Sequence, residues 1–400
     1  MNIEEAETIM KSVLEPLPLE TFFQALGRSV FDVPGGPAHS RAGLFGEDPV
    51  RTALSAHPTH AERLDCHAVS PAAPPPSPRK VDGEAGFRDL IRAYHDRDYT
   101  VRMPEVIALS PPLQRLTRAL EILLHQPVDA SLFWSKSGAG AIVHYDNRDN
   151  LVVQLKGRKR WYVSTDPPGL QNNWRHVGEP LPHLQRRRAI DVGPGDLLYI
   201  PRGTPHTVES LSESLHLAVL FVPTTLREVL IAALDHVSDQ DRFFRETAVA
   251  RAEDGLDGLP VHVERGLERL IARCRSGGFV EAAMKHRSSR FVSGLPALRR
   301  PDEVASLSAE TLVRHSPLAI VHLRQAGDLI DFACPGDHIA IHPGVEAELR
   351  FIRDKAEFRI RDIPGASSIE VRIALIGRLI AAGVLEPVTA EGRADPGSRA

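Results

Sequence analysis

"AIVHYDNRDNLVVQLKGRKRWYV", residues Ala141–Val163, holds a His-x-Asp triplet, an apolar run, a Lys-Gly turn and a cationic, aromatic segment in one short span. The runs "DNLVVQL" and "RWYVS" are rich in β-branched and aromatic residues and flank Gly157, so they read as two strands joined by a turn. The chain is expected to turn near Asn147–Asp149, run out along Leu151–Leu155, and return through Arg158–Val163. Successive side chains on a strand point to opposite faces, so residues two apart share one. Read as strand, the triplet puts His144 and Asp146 on the same side. An imidazole and a carboxylate aimed at one point suit a divalent metal. One more histidine would complete a 2-His-1-carboxylate facial triad, which leaves three positions open.

The candidate for that histidine lies in "GDLLYIPRGTPH", Gly195–His206. A strand over Asp196–Ile200 leads into a tight Pro201–Gly203 turn, where glycine permits a bend that a side chain would obstruct. The turn would set His206 at the mouth of a barrel. His-x-Asp by itself is a weak signal, and a lone histidine on a strand is more often a satisfied structural residue. The triplet gains weight from the glycine-bounded histidine on a flanking β-rich segment. Lys159 has two readings. Taken alone it is one cation among several in "KGRKR". If the return strand turns it inward, with Arg158 and Arg160 outward, it is a buried charge that needs an anion. A dicarboxylate chelating the metal at one end could present its far end to Lys159.

Working outward, "DLLYIP" and "LHLAVLFVP" extend the β-rich region over Ala130–Pro223, which reads as an antiparallel barrel or sandwich. Residues 2–14 and "PPLQRLTRALEILLHQP" (Pro111–Pro127) read as helices. "LPLETFFQALGRSVFDVPGG" (17–36) reads as a helix stopped by Pro-Gly-Gly, and "SPAAPPPSPRK" (70–80) as an exposed linker. After Pro223, "TLREVLIAALDHV" and "HVERGLERLIARC" carry helical apolar stripes. "DHIAIHPGVEAELRFI" (337–352) reads as two strands around a Pro-Gly turn. "SSIEVRIALIGRLIAAGVL" (367–385) reads as a helix with Ser367 and Glu370 as capping box and Gly383 as stop. This C-terminal pattern suggests a small winged-helix-like domain.

The chain has 400 residues, 42% hydrophobic and 25% charged, with a formal net charge of -4. That length suggests two or three domains, and the charge gives no sign of a bulk polyanion binder. Cys66, Cys274 and Cys334 are odd in number and far apart, which argues for a reducing compartment. "MNIEEAETIM" lacks an apolar signal core, and no apolar run is long enough to span a bilayer. A cytoplasmic protein is expected, with no membrane partner.

"HYDNRDNLVVQLKGRKRW", "GDLLYIPRGTPHTVES" and "SLHLAVLF" resemble the corresponding segments of the cupin-fold, JmjC-like 2-oxoglutarate oxygenases. The resemblance is to the ribosomal oxygenases in particular, with local similarity to the asparaginyl hydroxylase acting on hypoxia-inducible factor; "FRIRDIPG" also looks like the ribosomal oxygenases' C-terminal domain. It implies an α+β chain with three parts: a double-stranded β-helix barrel with N-terminal helices over 1–223, a helical dimerisation region over 224–300, and a winged-helix-like domain over 301–390. It implies that His144, Asp146 and His206 bind Fe(II), that Lys159 binds the far carboxylate of 2-oxoglutarate, that Asn150 contacts the same cosubstrate, and that O2 is consumed, with no catalytic residue beyond the metal site. The strand after the second histidine often carries a polar residue near the cosubstrate; here Leu220 stands there, so the metal-proximal carboxylate needs another partner.

The implied activity is hydroxylation of a protein or peptide side chain, ribosomal proteins being the family's usual targets, by a homodimer. Two alternatives stand beside it: the same chemistry on a biosynthetic peptide or small molecule, and a non-catalytic cupin regulator that senses a ligand. The C-terminal hundred residues are not notably basic, so nucleic acid is not the expected partner. Trp134, Tyr145 and Trp161 could line a pocket, though packing is the commoner role. His216 reads as a core or ligand-supporting histidine. His176, His183 and Gln185–Arg188 read as solvated loop.

Overall fold

The computed structural model describes the chain except residues 37, 78–80, 171–182, 249–258, 299–306, 327 and 389–400. His176 and the end of the Pro-rich segment lie outside the described residues. Two compact units form, one over Asn2–Pro223 and one from Thr224 onward.

The first unit begins with α1 (Ile3–Leu14), capped by Asn2 and Glu5 in a reciprocal box that satisfies two otherwise orphaned N–H groups. Ala6, Met10, Val13 and Leu14 form its buried stripe. The expected long second helix is instead α2 (Leu19–Ala25) followed by β1 (Phe31–Val33). The reason is pairing: Phe31 and Val33 align with Tyr199 and Leu197 of a later strand. Short helices α3 (Pro49–Leu54) and α4 (His57–His60), strand β2 (Asp65–His67), α5 (Gly83–His95) and β3 (Thr100–Met103) follow. The proline-initiated α6 (Pro111–Leu124) buries Leu113, Leu116 and Leu120.

Seven strands then complete the barrel: β4 (Asp129–Ser135), β5 (Asp149–Lys156), β6 (Lys159–Ser164), β7 (Arg187–Val192), β8 (Leu197–Ile200), β9 (His206–Ser210) and β10 (Ser214–Phe221). They divide into a seven-stranded sheet, β1-β8-β5-β10-β4-β3-β2, and a three-stranded sheet, β7-β6-β9. Val152, Leu198 and Ile200 of the large sheet pack on Trp161, Val163, Ile190 and Val192 of the small one, so these faces enclose the interior. β5 and β6 are therefore not a hairpin, because Gly157 carries the chain from one wall to the other. Its φ is +69°, and a Cβ there would lie 2.0 Å from the carbonyl oxygen of Glu213, so both backbone conformation and space demand glycine. Arg41, fully buried, donates to carbonyls of Val13, Glu15, Val33 and Gly195, which ties α1, β1 and the turn before β8 together.

The second unit contains α7 (Leu226–Gln240), α8 (Leu259–Cys274) and α9 (Phe279–Gly294). Strands β11 (Leu312–His315), β12 (His322–Ala326), β13 (Leu329–Cys334) and β14 (Asp337–Ile341), helix α10 (Glu346–Asp354), β15 (Glu357–Arg359), α11 (Ile369–Ala381) and β16 (Leu385–Pro387) complete it. Phe332, Leu349, Ile352, Ile376 and Leu379 centre its core. The second half of the stretch read as a hairpin is thus helical: Pro343 opens a 3-10 turn into α10, whose buried Glu348, Leu349 and Ile352 follow helical spacing. Ser368, not Ser367, caps α11, while the Ser367 hydroxyl bonds Glu348. The helix ends before Gly383, whose φ is +72°.

Candidate metal centre

His206 opens β9 directly after the Pro201–Gly203 turn. His144 lies in irregular backbone rather than on a strand, joined to His206 by an isolated bridge. The turn also reaches Asp146, whose carbonyl accepts from Gly203 N at 2.8 Å. These backbone bonds do the aligning that a strand was expected to do. The two imidazoles lie with centroids 4.4 Å apart, and His206 Nε2 is 3.8 Å from Asp146 Oδ2. One donor atom from each of His144, Asp146 and His206 falls within 4.8 Å of the others.

The rings are oriented by their own backbones. Nδ1 of His144 sits 2.9 Å from Ile142 O, and Nδ1 of His206 sits 2.9 Å from Thr204 O. Those contacts assign the Nδ1–H tautomer and leave each Nε2 with a free lone pair, the arrangement that outer-shell carbonyls impose on ligating histidines. Burial, and then the neighbouring His144, push the His206 pKa down to about 4 against the opposing pull of Asp146. The imidazole is therefore neutral at pH 7, as a ligand must be. His206 is buried while His144 and Asp146 remain half-buried, so the group has one closed and one open side.

Asn150, on β5, donates from Nδ2 to Asp146 Oδ2 at 3.2 Å. It pairs in register with Leu220 of β10. Lys159 is 1% exposed. Its Nζ donates to Ser135 Oγ at 2.9 Å, and no carboxylate among the described residues pairs with it. Burial alone lowers its pKa to about 7. Arg158 is exposed, and Arg160 turns out to a bidentate pair with Asp191. Polar atoms of Asn150, Gln154, Trp161, Thr204 and His216 are buried without a protein partner. Convergent lone pairs, an open side and orphaned interior polar atoms all fit a divalent cation with a polar ligand behind it.

Sequence reading missed one participant. Asp149, fully buried, accepts from Tyr199 Oη, from Arg202 N at 3.2 Å and from Arg202 Nη1 at 3.4 Å. It ties the segment carrying Asp146 to the turn carrying His206. The available signal was its place three residues after Asp146, opposite an arginine inside the Pro-x-Gly turn. Trp134 is a packing residue whose Nε1 donates to Glu213, Trp161 lines the interior, and Tyr145 is half-buried beside the site. His183 and Gln185–Arg188 are mostly exposed, with Arg186 and Arg188 paired to Asp166 and Asp32. A second grouping, His236, Asp239 and His286 on α7 and α9, is less suited to a cation. There Arg324 Nη1 lies 3.1 Å from His286 Nδ1 and already holds that lone pair.

A family model described as JmjC domain matches residues 106–229. Ribosomal oxygenase 2 of Rattus norvegicus is 25% identical over 237 residues, 55% of this chain and 48% of that protein. Ribosomal protein uL16 3-hydroxylase of Escherichia coli is 26% identical over 49% of this chain and 55% of its own. The chain thus spans about half the length of the curated relatives it matches. Among solved structures, YcfD, a ribosomal oxygenase from Escherichia coli, aligns over 94% of this chain and 99% of its own with a TM-score of 0.52 and 16% identity. Its complex with cobalt and 2-oxoglutarate aligns over the same shares at 0.51 and 17% identity. These likenesses establish a shared fold. Residues 106–229 of the barrel region match the JmjC domain model, and the chain is similar in sequence to the ribosomal oxygenases and shares the fold of one of them.

Proposed function

We propose that His144, Asp146 and His206 hold Fe(II), and that the chain is a 2-oxoglutarate-dependent oxygenase that hydroxylates a side chain of a protein or peptide, a ribosomal protein foremost. One observation carries this reading: a buried ammonium with no carboxylate partner among the described residues, Lys159, stands in the same interior as a half-open set of three metal donors. Such a charge is costly unless a ligand supplies the anion. A cosubstrate with a carboxylate at each end answers both features. The solved complex with cobalt and 2-oxoglutarate on the same fold supports the assignment.

When bound, the iron and its cosubstrate supply the oxidising chemistry with O2. The protein's own residues do the rest. The His144 and His206 imidazoles and the Asp146 carboxylate would hold the metal, and the open side of the group would admit its other ligands. Asn150 orients the Asp146 carboxylate. Lys159 and Ser135 fix the far carboxylate. Asn150 also stands closest in register to Leu220, and its buried Oδ1 lacks a partner, so it is the chain's polar group for the metal-proximal side.

The same reading extends to the second unit. Leu226, Leu230 and Leu234 form an exposed stripe on α7, and Val263, Leu267 and Ile271 form another on α8. Such faces favour a second copy of the chain. α10 and α11 with the sheet β15-β11-β16 support a winged-helix-like domain that serves protein contacts. Among the described residues no helix is long and apolar enough to cross a membrane, and three unpaired cysteines suit a reducing cytoplasm.

The test is anaerobic reconstitution with Fe(II) and 2-oxoglutarate, then incubation with ribosomal proteins in air. A mass gain of one oxygen on a defined peptide, with stoichiometric succinate, is expected. Failure of the chain to form succinate with any protein, peptide or small-molecule fraction would reject the enzyme and favour a ligand-sensing cupin.

A further inference from the structure

Beneath Lys159 the barrel interior has a polar floor that the reading above leaves without a role. Along β10, His216, Ala218 and Leu220 share one face and stand in register with Gln154, Val152 and Asn150 of β5. Val152 belongs to the interior cluster, so His216 points inward too. Its ring stacks flat on Phe133, centroids 4.8 Å apart, and meets the edge of Trp161 at 5.5 Å. Trp161 in turn lies 5.8 Å from His206. One indole thus spans from the metal-side histidine to His216, and the aromatic sandwich holds His216 in one orientation.

His216 is 3% exposed, yet its Nδ1 has no partner among the described residues. A buried imidazole nitrogen left unpaired is costly, so its persistence points to a ligand group that meets it. The surroundings say which kind. Ser135, Ser210 and Ser214 are buried around the same end of the barrel, with Ser135 already bonded to Lys159 and Ser214 to Ser210. Burial, and then the charge of Lys159, hold His216 neutral, so one ring nitrogen carries a hydrogen to give.

We propose that His216 is a second binding residue for the far carboxylate of the cosubstrate, donating from Nδ1 to one oxygen while Lys159 holds the other. The proposal rests on the cosubstrate reading above. Recognition is then bidentate: a charge from β6 on the small sheet and a directional N–H from β10 on the large one. An ammonium with Ser135 beside it holds an anion from one side only, whereas a further donor from the opposite wall demands a planar carboxylate at a set depth.

The experiment is equilibrium binding to the Co(II)-loaded chain, followed by calorimetry, with 2-oxoglutarate and with pyruvate. Pyruvate has the chelating 2-oxo acid end but no far carboxylate. His216→Phe should weaken 2-oxoglutarate at least tenfold and leave pyruvate and Co(II) affinity unchanged. His216→Asn, which places an N–H near the Nδ1 position, should recover most of the loss and guards against a misfolded Phe variant. Equal 2-oxoglutarate affinity in wild type and His216→Phe would overturn the proposal, as would parallel loss of both acids in both variants. A wild-type chain that binds Co(II) but neither acid would overturn the cosubstrate reading itself.

Discussion

His144 and His206 each donate a backbone N–H to the other's carbonyl oxygen, at 3.0 and 2.8 Å. Their spacing is therefore set by main chain, and neither side chain is needed to hold it. His144→Ala should leave the fold intact, with a stability change within about 1 kcal/mol because the ring is half-exposed. Metal-dependent succinate formation should fall to background. A Co(II) titration showing undiminished binding in that variant would place the metal elsewhere.

Asn150 acts on the carboxylate rather than on the metal. Asn150→Ala removes the donor to Asp146 Oδ2 and should weaken metal affinity by roughly 10- to 100-fold, the usual cost of losing an outer-shell partner. Competition against a chelator of known affinity reads this directly, and Asn150→Asp should be worse through like-charge repulsion.

If Lys159 holds the far carboxylate as proposed, cosubstrate binding is proton-linked. Its folded pKa of about 7 lies below the ordinary lysine value of 10.5. A bound carboxylate requires the ammonium, so above pH 7 binding takes up a proton and affinity falls by up to about tenfold per pH unit. Calorimetry in buffers of different ionisation enthalpy measures the uptake, and Lys159→Arg should abolish it. The sign for stability follows from the same shift. Between about pH 7 and 10.5 the unfolded chain binds the extra proton, so this group's contribution to ligand-free stability rises with pH across that window and is lost as pH falls through 7. Lys159→Met should flatten the rise in a urea-midpoint series.

Asp149 is the buried tie between the two loops that carry the proposed ligands. Asp149→Ala strands the Tyr199 hydroxyl and the Arg202 guanidinium and should cost about 3 kcal/mol, seen as a drop in melting temperature of several degrees. Metal affinity should fall with it, because Asp146 and the 201–203 turn lose a shared anchor. A variant with wild-type melting behaviour would show that the tie is dispensable.

Much of the site was legible because its signals are local. A His-x-Asp triplet and a histidine behind a Pro-x-Gly turn are visible within a dozen residues, and the inward turn of Lys159 follows from strand alternation once Gly157 is read as a turn. Pairings between distant segments were not legible. Nothing in "DNRD" says that Asp149 meets Arg202, and the Gly157 turn does not say that β5 and β6 belong to different sheets. Phe31–Val33 became a strand because β8 offered it an edge. Pro343-Gly344 reads as a hairpin turn until the buried positions behind it, Leu349 and Ile352, show helical spacing.

The crossing at Gly157 has a mechanical result. Asn150 stands on one wall of the barrel and Lys159 on the other, and the chain passes between them through the Gly157 turn. If the cosubstrate spans the two as proposed, the distance between Asn150 and Lys159 sets the length of carbon chain that the interior accepts. On that reading, acids one methylene shorter or longer than 2-oxoglutarate should bind the Co(II)-loaded chain more weakly, which calorimetry would measure.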